Sequence, residues 1–264
     1  MKLKQLINKT YYGSVSYVGS LEDLNTIEQY ILFNTPTLKE FKNIIVATNY
    51  SGDFRSLNTK LWKKHFPDCI LIDLDENRGH SFGTADLDNA IINYCHSNNI
   101  DWVCKSSQDI IIEPSILEIP IKDGNDFYYM NGIGYGGMVK YNFNLDRIIN
   151  EDFYPQTNFY FINTSKIDYL NNEEYINSTY NTMRNIPNYN GKIWEHIEGW
   201  SCEDFLKNCV IRNKLSKHHL VSSEKYRILL NMVKTKQIHD SSHKNIMIEG
   251  ICHFQSPNQP VIVI

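Results

Sequence analysis

No CxxC pair occurs among the six cysteines of this 264-residue sequence, which removes the spacing used by thiol-redox and zinc-ribbon motifs. Most of the six (Cys69, Cys95, Cys104, Cys202, Cys209, Cys252) lie inside apolar stretches and read as buried thiols in a reducing compartment. No early apolar run resembles a signal peptide, and none reaches the ~18 residues that a membrane span needs. The expected location is cytoplasmic, with peripheral membrane association as the variant. A basic excess is missing too: the net charge of −4 argues against a dedicated nucleic-acid binder. No repeat or flexible linker is identified, and the glycine-containing stretch 77–86 lacks the full GxGxxG pattern and the Gly-Lys-Ser/Thr of a P-loop.

What is present is ordinary for a globular chain: 42 % apolar and 21 % charged residues, enough to bury a substantial core. Asn and Tyr are abundant but form no tract. Two basic clusters, "KLWKKHF" (60–66) and "RNKLSKHH" (212–219), read first as solvated helix faces. The sharper reading is a surface that meets an anionic membrane or a polyanionic acceptor.

Hydrophobic patterning organises the first half. Ser20 followed by "LEDLNTIEQYILF" reads as a capped amphipathic helix, with Asp23 at the reciprocal capping position. After a Pro-containing break, "KNIIVATNY" (42–50) reads as a buried strand ending in Thr48 and Asn49. "FRSLNTKLWKKHF" reads as a helix, and "CILIDLD" (69–75) as a second strand. "TADLDNAIINYCHSN" (84–98) is a helix with Leu87, Ile91 and Cys95 on one face, and "DWVCKSS" (101–107) a third strand. Alternation of this kind predicts an α/β fold with a mostly parallel sheet flanked by helices. Ligands of such sheets bind beyond the carboxyl ends of the strands, which gathers "ATNYSGD", "DENRGHSFG" and "SSQD".

The second half is less regular. "DFYYMNGIGYGGMVKYN" (126–142) reads as strands around a glycine-rich loop, and "NFYFINTSKIDYL" (158–170) as a strand turning into a helix. "EGWSCEDFLKNCVIRNKL" (198–215) reads as a loop feeding a helix that begins near Cys202. The expected organisation is one domain, with about 43–110 as a nucleotide-binding half and about 111–250 as an irregular acceptor half. Residues 1–40 have no assigned role, and the tail "VIVI" reads as a strand docking at a sheet edge.

Five stretches carry or could carry chemistry. "IDLDE" holds a literal Asp-x-Asp, Asp73 and Asp75, but follows only the second strand and reads as turn acids. "SSQD" has one acid, Asp109, at the better place. A hard cation such as Mg²⁺ or Mn²⁺ takes oxygen ligands, and one carboxylate suffices when a diphosphate supplies others. "NRGHSFGTAD" (77–86) has glycines that let backbone amides approach a phosphate or ribose. "GWSCEDFL" (199–206) puts Glu203 and Asp204 at a helix start, where acids suit the macrodipole and where one could also serve as a general base. "IHDSSHKN" (238–245) spaces His239 and His243 by four, but two serines make a poor zincin helix, so a loop with one ligand histidine is expected.

Together these stretches resemble the GT-A glycosyltransferases, and the second half is most similar to the β-1,4-galactosyltransferase branch. The resemblance rests on "SQD", "YFIN" (160–163), "GWSCED" (199–204) and "HDSSHKN" (239–245) in that order, within about 43–250. It implies a GT-A-like sheet and an inverting, metal-dependent transfer from a nucleotide-sugar, UDP-sugar favoured, to a glycan, lipid-linked or protein acceptor. It implies Asp109 and His239 as ligands of Mn²⁺ or Mg²⁺, Asp204 as general base, and Glu203 as a residue that binds or orients acceptor or donor. Thr48, Asn49, Asn77, Arg78, Gly79, Asp86, Ser107 and Trp200 would line the nucleotide-sugar site. Three positions depart from the family: Ser107 replaces the first acid of the metal motif, and Ile162 and Asn163 replace Gly-Gly. The rival readings are a non-catalytic nucleotide- or glycan-binding member of the fold and a metallohydrolase using His239 and His243.

Overall fold

The computed structural model describes residues 1–49, 52–131, 153, 155–188, 202–235, 245–253 and 261–264. Its main sheet has seven strands: β1 (Tyr11–Val15), β2 (Asn43–Asn49), β3 (Ile70–Leu74), β4 (Trp102–Ser107), β6 (Phe127–Asn131), β7 (Pro155–Asn163) and β8 (Lys217–His219). They are ordered β3-β2-β1-β4-β7-β6-β8. β3, β2, β1 and β4 run parallel, whereas β7 is antiparallel to both β4 and β6.

The strands expected over 42–50, 69–75 and 101–107 are β2, β3 and β4. The central strand β1 comes from the stretch that the sequence left unassigned. Its "YYGSV" has no continuous apolar run, because the helix α4 (His80–Ser97) packs closely over Gly13. A Cβ there would lie 3.1 Å from Ile91 Cγ2 and from Val103 Cγ2.

Alternation along the strands feeds two cores. Tyr12, Ile44, Val46 and Cys104 face Ile27 and Ile31 of α2 (Leu21–Leu38) and Leu61 and Trp62 of α3 (Arg55–His65). Ile45, Ala47 and Val103 face Leu87, Ile91 and Cys95 of α4, with Leu206 and Cys209 of a later helix, Cys202–Arg212. Both faces of the parallel strands are thus covered, which is why β2 reads as a nearly continuous apolar run.

Ser20 caps α2 as expected, its Oγ accepting from Asp23 N at 3.1 Å. The Asp23 carboxylate accepts from Gly19 N at 3.0 Å, one residue short of the reciprocal position. The expected break at the proline does not occur, and α2 continues through Pro36 to Leu38. Tertiary bonds hold that end. Asn34 Nδ2 donates to Ile110 O at 2.7 Å, Ile112 N donates to Asn34 Oδ1 at 2.8 Å, and Thr37 Oγ1 donates to Ile112 O at 3.0 Å.

Those bonds fasten β5 (Ile110–Ile112), which joins a second sheet of order β11-β9-β10-β5. β9 is Asn245–Ile248, β10 Ile251–His253 and β11 Val261–Val263. The tail therefore docks at a sheet edge, as expected, pairing in parallel with β9. No described helix is long and apolar enough to cross a membrane.

Candidate functional site

Four parallel strands in the order β3-β2-β1-β4 reverse direction of winding at β1, so the crevice outside β1 and β4 is a topological switch point. Two segments meet there. Tyr17 N, just past β1, donates to the Gln108 side chain at 2.5 Å, just past β4. Ser16 is fixed from below: its backbone N donates to Ala47 O at 2.9 Å, and its hydroxyl lies 3.2 Å from Asn58 Oδ1 and 3.4 Å from Trp62 Nε1.

Asp109 follows Gln108 and is half-buried. Its charge is felt by two phenols. Burial first and then Asp109 push Tyr30 up to about 12, and burial likewise raises Tyr12. Ser107 Oγ lies 3.4 Å from Asn158 Oδ1 of β7. One residue after Asp109 starts β5, and through β10 its Ile110 end aligns with Ile246 of β9. Asn245, the first residue of β9, therefore lies at the same end of the small sheet as Ile110. His239, His243 and Trp200 lie outside the described residues.

The literal Asp-x-Asp is committed elsewhere. Arg55 Nε lies 3.0 Å from Asp73 and Nη1 3.5 Å from Asp75, so these acids anchor the start of α3 to β3.

At the end of β2, Thr48 and Asn49 are buried. The turn before α4 contributes Asn77, whose Oδ1 accepts from Gly79 N at 3.0 Å. Gly79 itself has φ 91°, a conformation that favours glycine. The helix starts at His80, four residues earlier than the periodicity suggests, because Gly83 belongs to its first turns. A Cβ on Gly83 would lie 2.7 Å from Asn77 Oδ1 and 2.9 Å from Asn49 Nδ2, so both amides close onto that glycine. Asn49 Oδ1 and Ser81 Oγ, both buried, have no hydrogen-bond partner among the described residues. Buried polar atoms in this state are where a ligand's donors and acceptors are worth most.

Arg78 and Asp86 pair with each other: Arg78 Nε donates to Asp86 Oδ2 at 2.8 Å, and a second guanidinium nitrogen meets Oδ1. The guanidinium also donates to Asn177 at 2.9 Å and lies 4.6 Å from the centre of the Tyr180 ring. These two residues fasten α4 to α5 (Tyr169–Met183) at the rim of the strand ends.

The helix expected near Cys202 is α6, Cys202–Arg212. Glu203 is 8 % exposed, whereas its neighbour Asp204 is only half-buried. Glu203 Oε1 accepts from Thr157 Oγ1 at 3.1 Å and Oε2 from Cys202 Sγ at 3.3 Å. Burial, and next Glu203, push the Cys202 thiol well up.

The same architecture occurs in a known protein. The crystal structure of an active-site mutant of LgtC superposes with a TM-score of 0.50 over 95 % of this chain and 89 % of that one, at 10 % identity. This chain has a GT-A-like fold. A putative nucleotide-diphospho-sugar transferase from Desulfovibrio desulfuricans G20 is more distant (TM-score 0.43, 9 % identity, 81 % and 80 % covered). So is mouse xyloside xylosyltransferase 1 (0.43, 10 %, 80 % and 85 %). No family model and no curated protein sequence matches the chain.

Asp109 stands just beyond the carboxyl end of β4. A divalent cation there would find one described carboxylate, since no three His, Cys, Asp or Glu converge among the described residues. Such a site fits a cation that shares its shell with a diphosphate.

Sequence reasoning missed Lys105 and Asp88. Lys105 is 1 % exposed in the middle of β4, its ammonium 3.2 Å from Asp88 Oδ1 and bonded to the Thr157 carbonyl. Tyr160 OH donates to Asp88 Oδ2 at 3.0 Å. Burial raises the Asp88 carboxyl, and Lys105 opposes that rise. The available signal was a lysine inside an otherwise apolar strand, since a buried ammonium requires a paired anion.

Proposed function

We propose that the protein is a glycosyltransferase that moves a sugar from a nucleotide-sugar, UDP-sugar favoured, to a hydroxyl of a glycan, lipid-linked or protein acceptor. The observation that carries this reading is a juxtaposition: within a GT-A-like fold, Asp109 and the acidic turn of α6 occupy the same end of β4. The buried, unpartnered Asn49 Oδ1 and Ser81 Oγ support a ligand at the neighbouring strand end.

Asp109, with His239, would hold Mn²⁺ or Mg²⁺ against the donor diphosphate; the ion supplies charge neutralisation for the leaving group. Thr48, Asn49, Asn77 and Gly79 would take the nucleoside, with Ser107 and Trp200 nearer the sugar. Arg78 and Asp86 would shape that pocket's rim. Asp204, the more accessible acid of its turn, accepts the proton of the acceptor hydroxyl. The acceptor oxygen forms its bond to the anomeric carbon as the bond from that carbon to the diphosphate breaks. The diphosphate leaves with the electron pair, and the anomeric centre inverts. The β-1,4-galactosyltransferase branch remains the proposed relative, and the cytoplasm the proposed location.

Release of nucleoside diphosphate from a panel of nucleotide-sugars, with Mn²⁺ and with hydroxyl acceptors, tests the reading. Asp204→Asn should lower kcat by about 10²–10⁴-fold. A variant as active as the wild type would remove Asp204 as base. Ser107 in place of an acid favours a second reading, a nucleotide-binding protein without turnover. That reading requires retained nucleotide binding and no release with any donor.

A further inference from the structure

Lys105, Asp88, Thr157 and Glu203 form one buried chain of polar contacts beneath the candidate site. Lys105 points to the α4 face of β4, as does Ser107 two residues on. Its ammonium has two partners, the Asp88 carboxylate at 3.2 Å and the Thr157 carbonyl. Thr157 belongs to β7, two residues before Phe159, which pairs with Ser106. So Thr157 lies alongside the carboxyl end of β4. Its hydroxyl continues the chain by donating to Glu203 Oε1 at 3.1 Å.

Thr157 is thus gripped at both ends, by β4 through its carbonyl and by α6 through its hydroxyl. Both oxygens of Glu203 accept bonds from within the protein, and only 8 % of the residue is exposed. A carboxylate so engaged cannot swing to meet a substrate. What it can do is fix the first turn of the helix that carries Asp204.

We propose that Lys105 is a positioning residue: through Thr157 and Glu203 it sets where Asp204 stands relative to the strand that ends in Asp109. The role of Asp204 in this statement rests on the transferase reading. The link from Lys105 to Glu203 does not.

Among the described residues, the polar groups around Glu203 are Thr157 from β7, Cys202 from its own helix and, beyond Thr157, Lys105 from β4 with Asp88 from α4. The buried cluster holds one cation against two carboxylates.

The test is ¹H–¹⁵N NMR of the backbone amides at the start of α6, assigned by sequential connectivity. Lys105→Met should shift the Glu203 and Asp204 amide resonances, although the substituted residue lies on another element. Thr157→Val, which keeps the shape and removes the donor, should shift the same two amides, and it supplies the test if Lys105→Met does not fold. Glu203 and Asp204 amides that keep their wild-type positions in both variants overturn the proposal. In a turnover assay, Thr157→Val should lower kcat and leave the KM for donor unchanged. If no nucleotide-sugar is turned over by the wild type while the amides shift as stated, the transferase reading fails and the Lys105–Glu203 link stands.

Discussion

Asp109 and Asp75 are both acids just beyond a parallel strand, yet their surroundings give them different tasks. Asp75 is fully exposed and lies 3.5 Å from Arg55, an outer partner of the Arg55–Asp73 bridge. Asp109 stands at the switch point. Asp75→Asn should change stability by less than about 0.5 kcal/mol and leave any nucleotide-dependent thermal shift intact. Asp109→Ala should abolish that shift. Equal losses in the two variants would mean that the literal Asp-x-Asp takes part in the site after all. That Asp109 follows the central strand end was legible from its place along the chain, since the strand-and-helix count identifies which strand end is central. The commitment of Arg55 was not, because a pairing across α3 and β3 depends on side-chain direction. The Lys105–Asp88 pair was hidden for the same reason: its members are 17 positions apart on different elements, and only the packing of α4 on β4 brings them together.

At the scale of elements, the junction of α2 with β5 is held by Asn34, which serves one backbone carbonyl and one backbone N–H. Asn34→Ala leaves both buried groups unsatisfied and should cost about 2–4 kcal/mol in urea unfolding. A cost under about 1 kcal/mol would show that water replaces the amide. This junction also explains the failure of the proline signal. Pro36 removes one helical hydrogen bond, but the bonds from Asn34 and Thr37 hold the last turn to β5. Gly83 poses the converse case, a glycine whose helix position is dictated by side chains elsewhere. Gly83→Ala must displace Asn77 or Asn49, and should cost about 1–3 kcal/mol while erasing nucleotide-dependent stabilisation. If the shift survives, the two amides do not contact the nucleotide. β1 was illegible because its neighbour α4 selects a small residue at its centre, whereas the apolar runs of β2 and at the start of β4 declared themselves.

For the molecule as a whole, the cysteines set a pH limit. Burial raises all six thiols, with Cys95 and Cys209 pushed up to about 12 and Cys252 to about 11. Above the ordinary thiol value of about 8.5 the unfolded chain loses protons that the folded chain keeps, so stability falls as pH rises. Below that value this contribution is fully present. Urea unfolding under reducing conditions should show a lower midpoint at pH 9.5 than at pH 7.5; an unchanged midpoint would place the thiols in contact with water. The GT-A-like architecture itself was legible, because alternating apolar strands and helices have few solutions, and the LgtC superposition covers 95 % of the chain. The donor and acceptor were not, since strand ends define where a ligand sits and loops define which one.

Thermal unfolding with a panel of nucleotides and nucleotide-sugars, in Mn²⁺ and in EDTA, tests the central claim most directly. A ligand at ~100 times its dissociation constant stabilises by about 2.7 kcal/mol, on the order of 5–10 °C for a chain of this size. The account predicts a shift of that size with one nucleotide family, lost in EDTA and in Asp109→Ala. A chain that responds to none of them, with or without metal, contradicts it.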